Sequence, residues 1–325
     1  GSGKNSIVQA VNQIHDVAGL LPVTYGKSKS SQEIYRNLID KPMSLFNIDE
    51  LGLKFSSIAN AGKSGASYFE TWFGEMMSLY SNANGIVNLS GDEMREVQRV
   101  LAAKMADVQK AMDDNEMDRD KGELLLEELR DRIKRPALIN PFVSLIGYST
   151  PETVEPVITP ERVREGFLGR TILAWEPVDL PRDKEDFSPR KMTSSLEMQL
   201  CNLSQTGDSE LQPWDDIKNR RKITTTAGAR AKLAELPSYF HALSEHYLET
   251  NGMHAVPTRG LEVVLKISYI LALHGRQRTL EHVEWALAYV LKDIQQKVNL
   301  ALGNSDRDDA LENRIKGILD EEEGT

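Results

Sequence analysis

The sequence predicts an α/β core followed by an all-α domain. Strand and helix patterns alternate through the first half of the chain, which is the order expected of a parallel sheet covered by helices. The polar stretch PRDKEDFSPRK then begins at Pro181, and nearly every later segment has the spacing of a helix. We therefore predict a core over residues 1–181, a linker over 182–193, a helical lid over 194–308 and, over 309–325, the start of a further helix or of a truncated domain.

Composition is typical of a protein that folds in water, and it narrows the function classes. Of the 325 residues, 40% are hydrophobic and 27% are charged, and the apolar runs fall short of the ~20 residues that a membrane span needs. The single cysteine, Cys201, excludes an intramolecular disulfide and a cysteine-based metal cluster, which fits a reducing cytoplasm. The net charge of −10 gives no support to nucleic-acid binding, although a ring can keep basic residues in its channel. We expect no membrane partner.

Five elements precede the first long charged segment. An amphipathic helix over residues 5–18 leads to a short strand in LLPVTYG, and SSQEIYRNLID is a short helix that begins with good capping residues. MSLFNIDE has the apolar run of a buried strand and ends in the carboxylates of Asp49 and Glu50. A helix over residues 67–80 follows, with a wide apolar face made of Phe69, Trp72, Phe73, Met76, Met77 and Tyr80.

Residues 91–135 interrupt the alternation as a helical insertion. The segment is charge-rich, and a break near DDNEMDRD divides it into the two helices of a hairpin. One side of the first helix carries apolar residues at helical spacing, namely Met94, Val97, Leu101, Met105, Val108 and Met112. Such a stripe is typical of packing within a hairpin. A βαβ unit needs only about 30 residues, so the distance from the carboxylate strand to the next strand also indicates an insertion.

The later elements place two further sets of polar residues. ALINPFVSLIGYSTPET is a second buried strand that ends in Ser149 and Thr150. GFLGRTILAWEP is a turn followed by a third strand, with Arg170 at the start of that strand. The lid then contains four predicted helices, over residues 194–203, 227–251, 258–274 and 280–302.

The chain opens with GSGKNS, which is either a phosphate-binding loop or a cloning scar. In a loop, Gly1 and Gly3 let backbone N–H groups approach phosphates, the following helix adds positive potential, and Lys4 contacts the β- and γ-phosphates. Asn5 stands where such a loop normally has Ser or Thr to bind Mg²⁺, and Ser6 is one position too late. A loop of this kind follows a buried strand, so this interpretation makes the core N-terminally truncated. The alternative stays open, because a leading Gly-Ser is common in engineered proteins.

The strand that ends in Asp49 and Glu50 is the stronger indication of nucleotide chemistry. In a P-loop ATPase, the aspartate at this position holds Mg²⁺ and the following glutamate polarises the attacking water. Neighbouring residues of a strand point to opposite faces, so the two roles require the strand to end at this point. We expect Asp49, with Asn5, to bind the metal and Glu50 to act on water. The alternative is a strand-end turn with two exposed acids.

Four stretches, in this order, carry a resemblance to a known family. GSGKNS, LFNIDELG, FVSLIGYSTPET and GFLGRTILAW resemble the ATPase core of phage- and plasmid-type primase-helicase proteins. The resemblance implies an α/β P-loop NTPase core with a parallel sheet of the RecA or AAA+ type, and it implies ATP and Mg²⁺ as cofactors. It also implies that Arg170 is the arginine finger and that Ser149 or Thr150 occupies the polar sensor position.

A second resemblance concerns the lid. VPTRGLEVVLKISYILALHGRQRTLEHVEWALAYV is similar to the C-terminal helices of minichromosome-maintenance helicases and related AAA+ proteins. In those proteins an arginine at the head of the first helix, followed three residues later by glutamate, contacts ATP at a subunit boundary, and Arg259 and Glu262 have this spacing. The alternative is that Arg170 pairs with Glu165 or Glu176 and that Arg259 braces its own helix.

Together the two resemblances imply an ATP-driven DNA helicase or translocase that acts in the replication of a phage, a plasmid or another mobile element. Such a motor works as a closed, homo-hexameric ring in the cytoplasm of a bacterial or phage-infected cell, and a neighbouring subunit supplies the arginine finger. Two alternatives remain. One is an oligomeric ATPase that acts on protein partners or as a switch, and the other is a degenerate assembly module in which Asn5 marks the loss of metal binding.

Single-stranded DNA is the partner that the resemblance implies. A translocating ring contacts phosphates through basic residues on mobile loops, which makes the loop after the carboxylate pair and the helical hairpin the candidate elements. The alternative for each basic cluster is a solvated protein face. The candidate residues are Lys54, Lys63, Arg132, Lys134 and Arg135.

Overall fold

The structure is a computed structural model, which describes residues 4–26, 31–53, 67–83, 85–155, 158–160, 168–174, 192–204 and 222–323. At residues 4–6, 31–32, 40, 67–71, 73, 204 and 304–323 it describes the backbone only. The chain divides into two compact units. The first consists of Gly1–Leu51, Asn60–Tyr148 and Pro189–Asn219, and the second of Gly52–Ala59, Ser149–Ser188 and Arg220–Thr325.

A three-stranded parallel sheet forms the centre of the first unit. Its strands are β1 (Thr24–Tyr25), β2 (Met43–Ile48) and β5 (Phe142–Gly147), and they lie in the order β1-β2-β5. Every residue of β2 from Ser44 to Ile48 is buried, as expected of a central parallel strand covered on both faces. This sheet and the many helices confirm a mixed α/β core of the first unit, whereas the P-loop fold stays a prediction.

Among the residues that the structure describes, four helices accompany the sheet, namely α1 (Lys4–Val17), α2 (Ser31–Asp40), α3 (Ser67–Ser81) and α7 (Ser194–Ser204). Trp72 of α3 is buried edge-on against Phe46 of β2, with the ring centroids 5.7 Å apart. On α1, the Asn12 amide oxygen accepts a 2.7 Å hydrogen bond from the buried Asn47 of β2. All four helices agree with the predicted bounds to within one residue, because each has an apolar face of clear helical period.

The predicted insertion is a helical hairpin on a two-stranded base. Strands β3 (Ile86–Val87) and β4 (Leu138–Ile139) pair antiparallel, so the two ends of the insertion lie side by side. Between them run α4 (Gly91–Asp113) and α5 (Arg119–Lys134). Helix α4 begins at a capping box in which the Ser90 hydroxyl accepts from the Glu93 N–H and the Glu93 carboxylate accepts from the Ser90 N–H.

The apolar stripe predicted for α4 packs as expected over most of its length. Val97, Leu101 and Val108 are buried, and Met112 lies against Gly122 of α5, where any added side chain would overlap the thioether. Met94 is instead 37% exposed. The stripe is therefore part of the packing of the hairpin, as the periodicity predicts.

Helices dominate the second unit. They include α6 (Pro151–Val154), α8 (Ala227–Asn251), α9 (Ala255–Thr258), α10 (Gly260–Leu271) and α11 (Leu280–Glu323), and β6 (Thr224–Thr225) pairs parallel with β7 (Gln277–Arg278). Local capping accounts for the bounds of α8, because the Thr226 hydroxyl accepts from the Ala229 N–H and Gly252 ends the helix at φ 71°. The shared core contains Ile158, Leu168, Leu236, Phe240, Val264, Val290, Ile294 and Val298.

Two predicted lid helices differ from the observed ones. In place of the predicted helix over residues 258–274, α10 runs from Gly260 to Leu271 and the short α9 ends at Thr258 before it. Gly260 lies so close to the Phe240 ring that a Cβ would overlap it. Helix α11 continues without a break from Leu280 to Glu323, past the predicted end at residue 302. None of the helices that the structure describes is both long enough and apolar enough to cross a bilayer.

The third strand predicted after Arg170 is wrong for the residues described there. Leu168–Arg170 is a 3₁₀ helix, and residues 171–174 lie outside any strand. The backbone of this segment is bonded to side chains of α11 instead of a neighbouring strand. The Leu173 N–H donates to Asp293, and the Thr171 carbonyl accepts from Lys297.

Candidate functional site

The two longer strands of the parallel sheet end at the same edge. Ile48 of β2 lies opposite Gly147 of β5, and the ladder continues for one more step because the Tyr148 N–H donates to the Ile48 carbonyl at 3.0 Å. In open α/β sheets, ligands bind outside the carboxyl ends of the strands. Asp49 and Glu50 therefore stand where the sequence predicts them, directly after the carboxyl end of β2.

A tight turn follows the carboxylate pair. The Asp49 Oδ1 accepts a 2.9 Å hydrogen bond from the Glu50 N–H, and Glu50 has a φ of 54°, in the left-handed region that residues with a Cβ rarely adopt. The Leu51 N–H then donates to the Tyr148 carbonyl at 2.9 Å. This turn ends the strand alternation, so the side chains of Asp49 and Glu50 are not constrained to opposite faces of the sheet. Asp49 is exposed and Glu50 is half-buried.

Tyr148 is a residue of this edge that sequence reasoning missed. Its hydroxyl is buried and has no hydrogen-bond partner among the residues described. Burial raises the pKa of Tyr148 above its ordinary value of 10.0, and the charge of Asp49 raises it further. The phenol is therefore a protonated donor next to the carboxylate edge. Two sequence signals could have found Tyr148, namely the alternating pattern of β5 and the position of Tyr148 directly after that strand.

The predicted sensor residues form a compact hydroxyl cluster in the second unit. The Ser149 hydroxyl accepts a 3.0 Å hydrogen bond from the Gly52 N–H and lies 2.6 Å from the Thr153 hydroxyl, which in turn lies 3.2 Å from that of Thr150. A Cβ on Gly52 would overlap both Ser149 and Thr153. Ser149 thus helps to fix the start of α6. The backbone N–H of Glu152 lowers the pKa of the Glu152 carboxyl below its ordinary value, and the hydrogen bond from the Thr150 hydroxyl lowers it further.

The structure places the turn that carries Arg170 against Arg259. Arg170 ends the 3₁₀ helix Leu168–Arg170, and Arg259 lies at the junction of α9 and α10. Gly169 sits against this junction, where a Cβ would lie 3.0 Å from the Ala255 carbonyl and 3.3 Å from the Arg259 Cγ. Residues of widely separated sequence position therefore meet at one place in the second unit, and a Cβ at position 169 would make tighter contacts than is usual.

The surroundings of the two arginines differ. The Arg259 guanidinium lies 3.5 Å from the Glu262 carboxylate, which also pairs with Lys266 at 2.7 Å. The arginine and glutamate predicted to contact ATP are therefore in contact with each other at the start of α10. The Arg259 side chain is 43% exposed. The Nε of Arg170 is buried. The alternative partners Glu165 and Glu176 lie outside the described residues.

A buried ion pair next to the arginine turn escaped sequence reasoning. Lys297 of α11 is 1% exposed and Asp293 is 6% exposed, and the Lys297 ammonium donates to the Asp293 carboxylate at 2.5 Å. An Asp–Lys pair four residues apart on a helix normally indicates a solvated surface pair. The signal that contradicts this is position, because both residues lie on the buried side of α11 with Val290, Ile294 and Val298.

The predicted phosphate loop is described only at its end. Gly1 and Gly3 lie outside the described residues, and Lys4, Asn5 and Ser6 form the first turn of α1, with their backbone alone described. A lysine in the first turn of a helix is the position that a phosphate loop requires. The roles of the five residues stay predictions.

The basic residues proposed for DNA fall into three groups. Lys54 and Lys63 lie outside the described residues. The Arg132 guanidinium donates at 2.9 Å to the Ile39 carbonyl at the end of α2, so it anchors the hairpin. Lys134, which pairs with Asp131 at 3.0 Å, and Arg135 are exposed at the base of the hairpin.

The tip of the hairpin is acidic. Its connecting turn and flanking helix ends carry five exposed acids, Asp113, Asp114, Glu116, Asp118 and Asp120, against three exposed bases, Lys110, Arg119 and Lys121. A surface of this charge repels phosphates. The structure thus separates the basic base of the hairpin from an acidic tip.

Searches against protein families, curated proteins and solved structures found no match for this chain. Within the described part of the chain, no group of three or more His, Cys, Asp or Glu residues is placed to hold a metal ion. The chemistry proposed for the site is therefore argued from the residues of this chain alone.

Proposed function

We propose that this chain is the ATPase core of an oligomeric P-loop motor that binds ATP and Mg²⁺ at the carboxyl end of its parallel sheet. The observation that carries the proposal is the packing of Gly169 against Arg259, which joins the arginine turn to the head of α10. Arg170 and Arg259 are thus carried by adjoining backbone segments, and each supplies a positive charge of the kind that stabilises a polyanion.

Asp49 fits the metal role in this proposal. Mg²⁺ in nucleotide sites is held by one or two carboxylates, and waters and phosphate oxygens complete its octahedron. Asp49 offers an exposed carboxylate, and its orientation is fixed by the hydrogen bond from the Glu50 N–H. Lys4 would contact the phosphates from the first turn of α1. The bound nucleotide supplies the phosphoryl group, and Glu50 polarises the attacking water.

The arginines act on the nucleotide of the neighbouring subunit in this proposal. Fixed positive charge against the developing charge of the γ-phosphoryl group is worth about 10³ to 10⁵ in rate. Hydrolysis then depends on assembly, which we propose is a homo-hexameric ring. The first proposed substrate is single-stranded DNA, contacted through exposed residues such as Lys134 and Arg135.

The acidic tip of the hairpin specifically favours a second candidate, an oligomeric ATPase that acts on a protein partner. Binding of a single-stranded oligonucleotide at increasing salt separates the two. A DNA motor that makes six or more phosphate contacts should lose about 10³-fold or more in affinity between 50 and 200 mM salt. Absence of salt-sensitive binding supports the protein partner, whereas salt-sensitive binding unchanged by Lys134→Ala with Arg135→Ala contradicts the assignment of these two residues.

The substitution Glu50→Gln tests the ATPase itself. Loss of a group that polarises water should lower kcat by about 10² to 10⁴-fold, while nucleotide binding and oligomeric state are retained. Steady-state phosphate release and equilibrium binding of a labelled nucleotide measure the two effects. The control is Glu128→Gln, an exposed glutamate of α5. Hydrolysis by Glu50→Gln at the wild-type rate would contradict the proposal.

A further inference from the structure

We infer that the buried Asp293–Lys297 pair of α11 is a positioning device that fixes the direction in which Arg170 leaves its turn. The inference rests on the proposed function for the role of Arg170, but its geometry stands by itself. Both side chains bond to the segment that directly follows Arg170, and they do so from a helix that is more than a hundred residues distant in sequence.

The pair makes three hydrogen bonds in one buried place. The Lys297 ammonium donates to the Thr171 carbonyl at 2.5 Å and to the Asp293 Oδ2 at 2.5 Å. The Asp293 Oδ1 accepts from the Leu173 N–H at 2.8 Å. One carbonyl and one amide, on either side of Ile172, are therefore held by α11.

Burial of an ion pair costs free energy, and this cost would be unnecessary if packing were the only role of the pair. Burial raises the pKa of Asp293 and lowers the pKa of Lys297, since both charges are removed from water. Replacement of a buried ion pair by apolar residues of similar volume is often neutral or stabilising. Apolar residues, however, cannot form hydrogen bonds with the backbone of residues 171–173. That backbone lies outside any strand and needs partners for its polar groups.

The arginine turn is thereby held from both ends. Gly169, before Arg170, is packed against Ala255 and Arg259. Thr171, after it, is bonded to Lys297. With the residues on each side fixed, the backbone of Arg170 has little freedom, and a guanidinium that must meet a transition state needs such restriction. Misplacement of a catalytic group by about 1 Å costs about 10²-fold in rate.

The test compares the wild-type chain with a double variant, Asp293→Leu with Lys297→Met, which replaces the pair by apolar side chains of similar shape and removes all three hydrogen bonds. We expect this variant to remain folded by circular dichroism. Its Leu173 amide should exchange with solvent at least about 10-fold faster, because its acceptor is gone. Trypsin should cleave the Arg170–Thr171 bond faster in the folded variant. The matched control is Lys232→Met, which removes an exposed ion pair with Glu235 on α8.

Kinetics distinguish positioning from a purely structural role. The double variant should lower kcat for ATP hydrolysis by about 10²-fold with KM for ATP nearly unchanged, since the pair touches no substrate. Faster exchange at Leu173 with a wild-type kcat, or unchanged exchange at Leu173, overturns the inference. A wild-type chain that hydrolyses no ATP overturns the proposed function instead, while exchange at Leu173 still decides the anchoring.

A second measurement covers a double variant that fails to fold. In the wild-type chain, the Leu173 amide should be as protected from exchange as the core amides of α11. Exchange of Leu173 at the rate of an open loop overturns the anchoring without any substitution.

Discussion

At the scale of single residues, the conformation of Glu50 is informative. A residue with a Cβ in the left-handed region costs about 1–2 kcal/mol, and glycine would avoid this cost. Strained backbone of this kind is concentrated at functional sites. The proposed catalytic role of Glu50 is compatible with this conformation, which Asn115, Asn140 and Arg276 also adopt.

At Gly52, two residues later, the packing requires that there be no side chain. Gly52→Ala should lower the free energy of unfolding by about 1–3 kcal/mol, because its Cβ would overlap the hydroxyls of Ser149 and Thr153. Urea denaturation measures the change. Gly74→Ala is the control, since that helical glycine has no atom within 4 Å of an added Cβ, and alanine there should stabilise α3 by up to about 1 kcal/mol. Equal stabilities of the two variants would contradict the packing described for Gly52.

Residue-scale features were predicted where they depend on neighbours in sequence. The end of β2 at the carboxylate pair follows from the run MSLFNI and the polar residues after it, and the structure has it there. The approach of Gly169 to Arg259 was not predictable in this way, because nothing local to either residue specifies the other. The burial of Lys297 had a signal in its position on the apolar side of α11, but its bond to Thr171 had none.

At the scale of elements, the hairpin is tied to α2 by charged side chains. Glu96 of α4 accepts hydrogen bonds from Arg99, at 2.8 Å, and from Arg36 of α2. Arg132 of α5 bonds to the carbonyl of Ile39, in the last turn of α2. A residue proposed from sequence as a DNA contact is therefore a link between the hairpin and the core.

The Arg36–Glu96–Arg99 group should make stability depend on pH. The hydrogen bond from Arg99 is the largest cause that holds the pKa of Glu96 below its ordinary value of 4.5; burial opposes it, and the hydrogen bond from Arg36 lowers the pKa further. A lowered pKa in the folded state adds stability above pH 4.5, and this is lost as pH falls through the folded-state pKa. Glu96→Gln should thus cost at most about 1 kcal/mol at pH 7 and less at pH 3, as measured by urea unfolding. A cost that is equal at both pH values would contradict the assignment, and Glu128→Gln is the control.

Helices were predicted more accurately than the segment after Arg170, and the reason is physical. The bounds of α8 depend on Thr226 and Gly252, which lie next to them in sequence. The apolar run TILAW favours a strand, but Leu173 finds its partner in Asp293, 120 residues away. Tertiary hydrogen bonds of this kind override a local propensity and leave no trace in the local pattern.

At the scale of the whole molecule, the proposed function divides one site between two subunits. Asp49 and Glu50 belong to the first compact unit, whereas Arg170 and Arg259 belong to the second. A chain with a defect in one set should therefore be complemented by a chain with a defect in the other. The predicted oligomer makes this testable without knowledge of the ring size.

Mixing Glu50→Gln chains with Arg170→Ala chains should restore hydrolysis that neither variant has alone. With random mixing in a ring, about one site in four joins an intact Glu50 to an intact Arg170 of the next subunit. Phosphate release after mixing and reassembly gives the result. As a control, Arg170→Ala chains mixed with the double variant Glu50→Gln, Arg170→Ala should stay inactive. No recovery in the first mixture, with oligomers formed, means that Arg170 does not act between subunits.

The antiparallel pair of β3 and β4 has a consequence for how the hairpin joins the rest of the first unit. Val87 lies directly across from Leu138, so the long hairpin leaves and re-enters the core through neighbouring points. A two-residue β-turn would close that gap. Removal of the hairpin would therefore leave the strand order of the sheet unchanged, although the contacts of the hairpin with α2 would be lost.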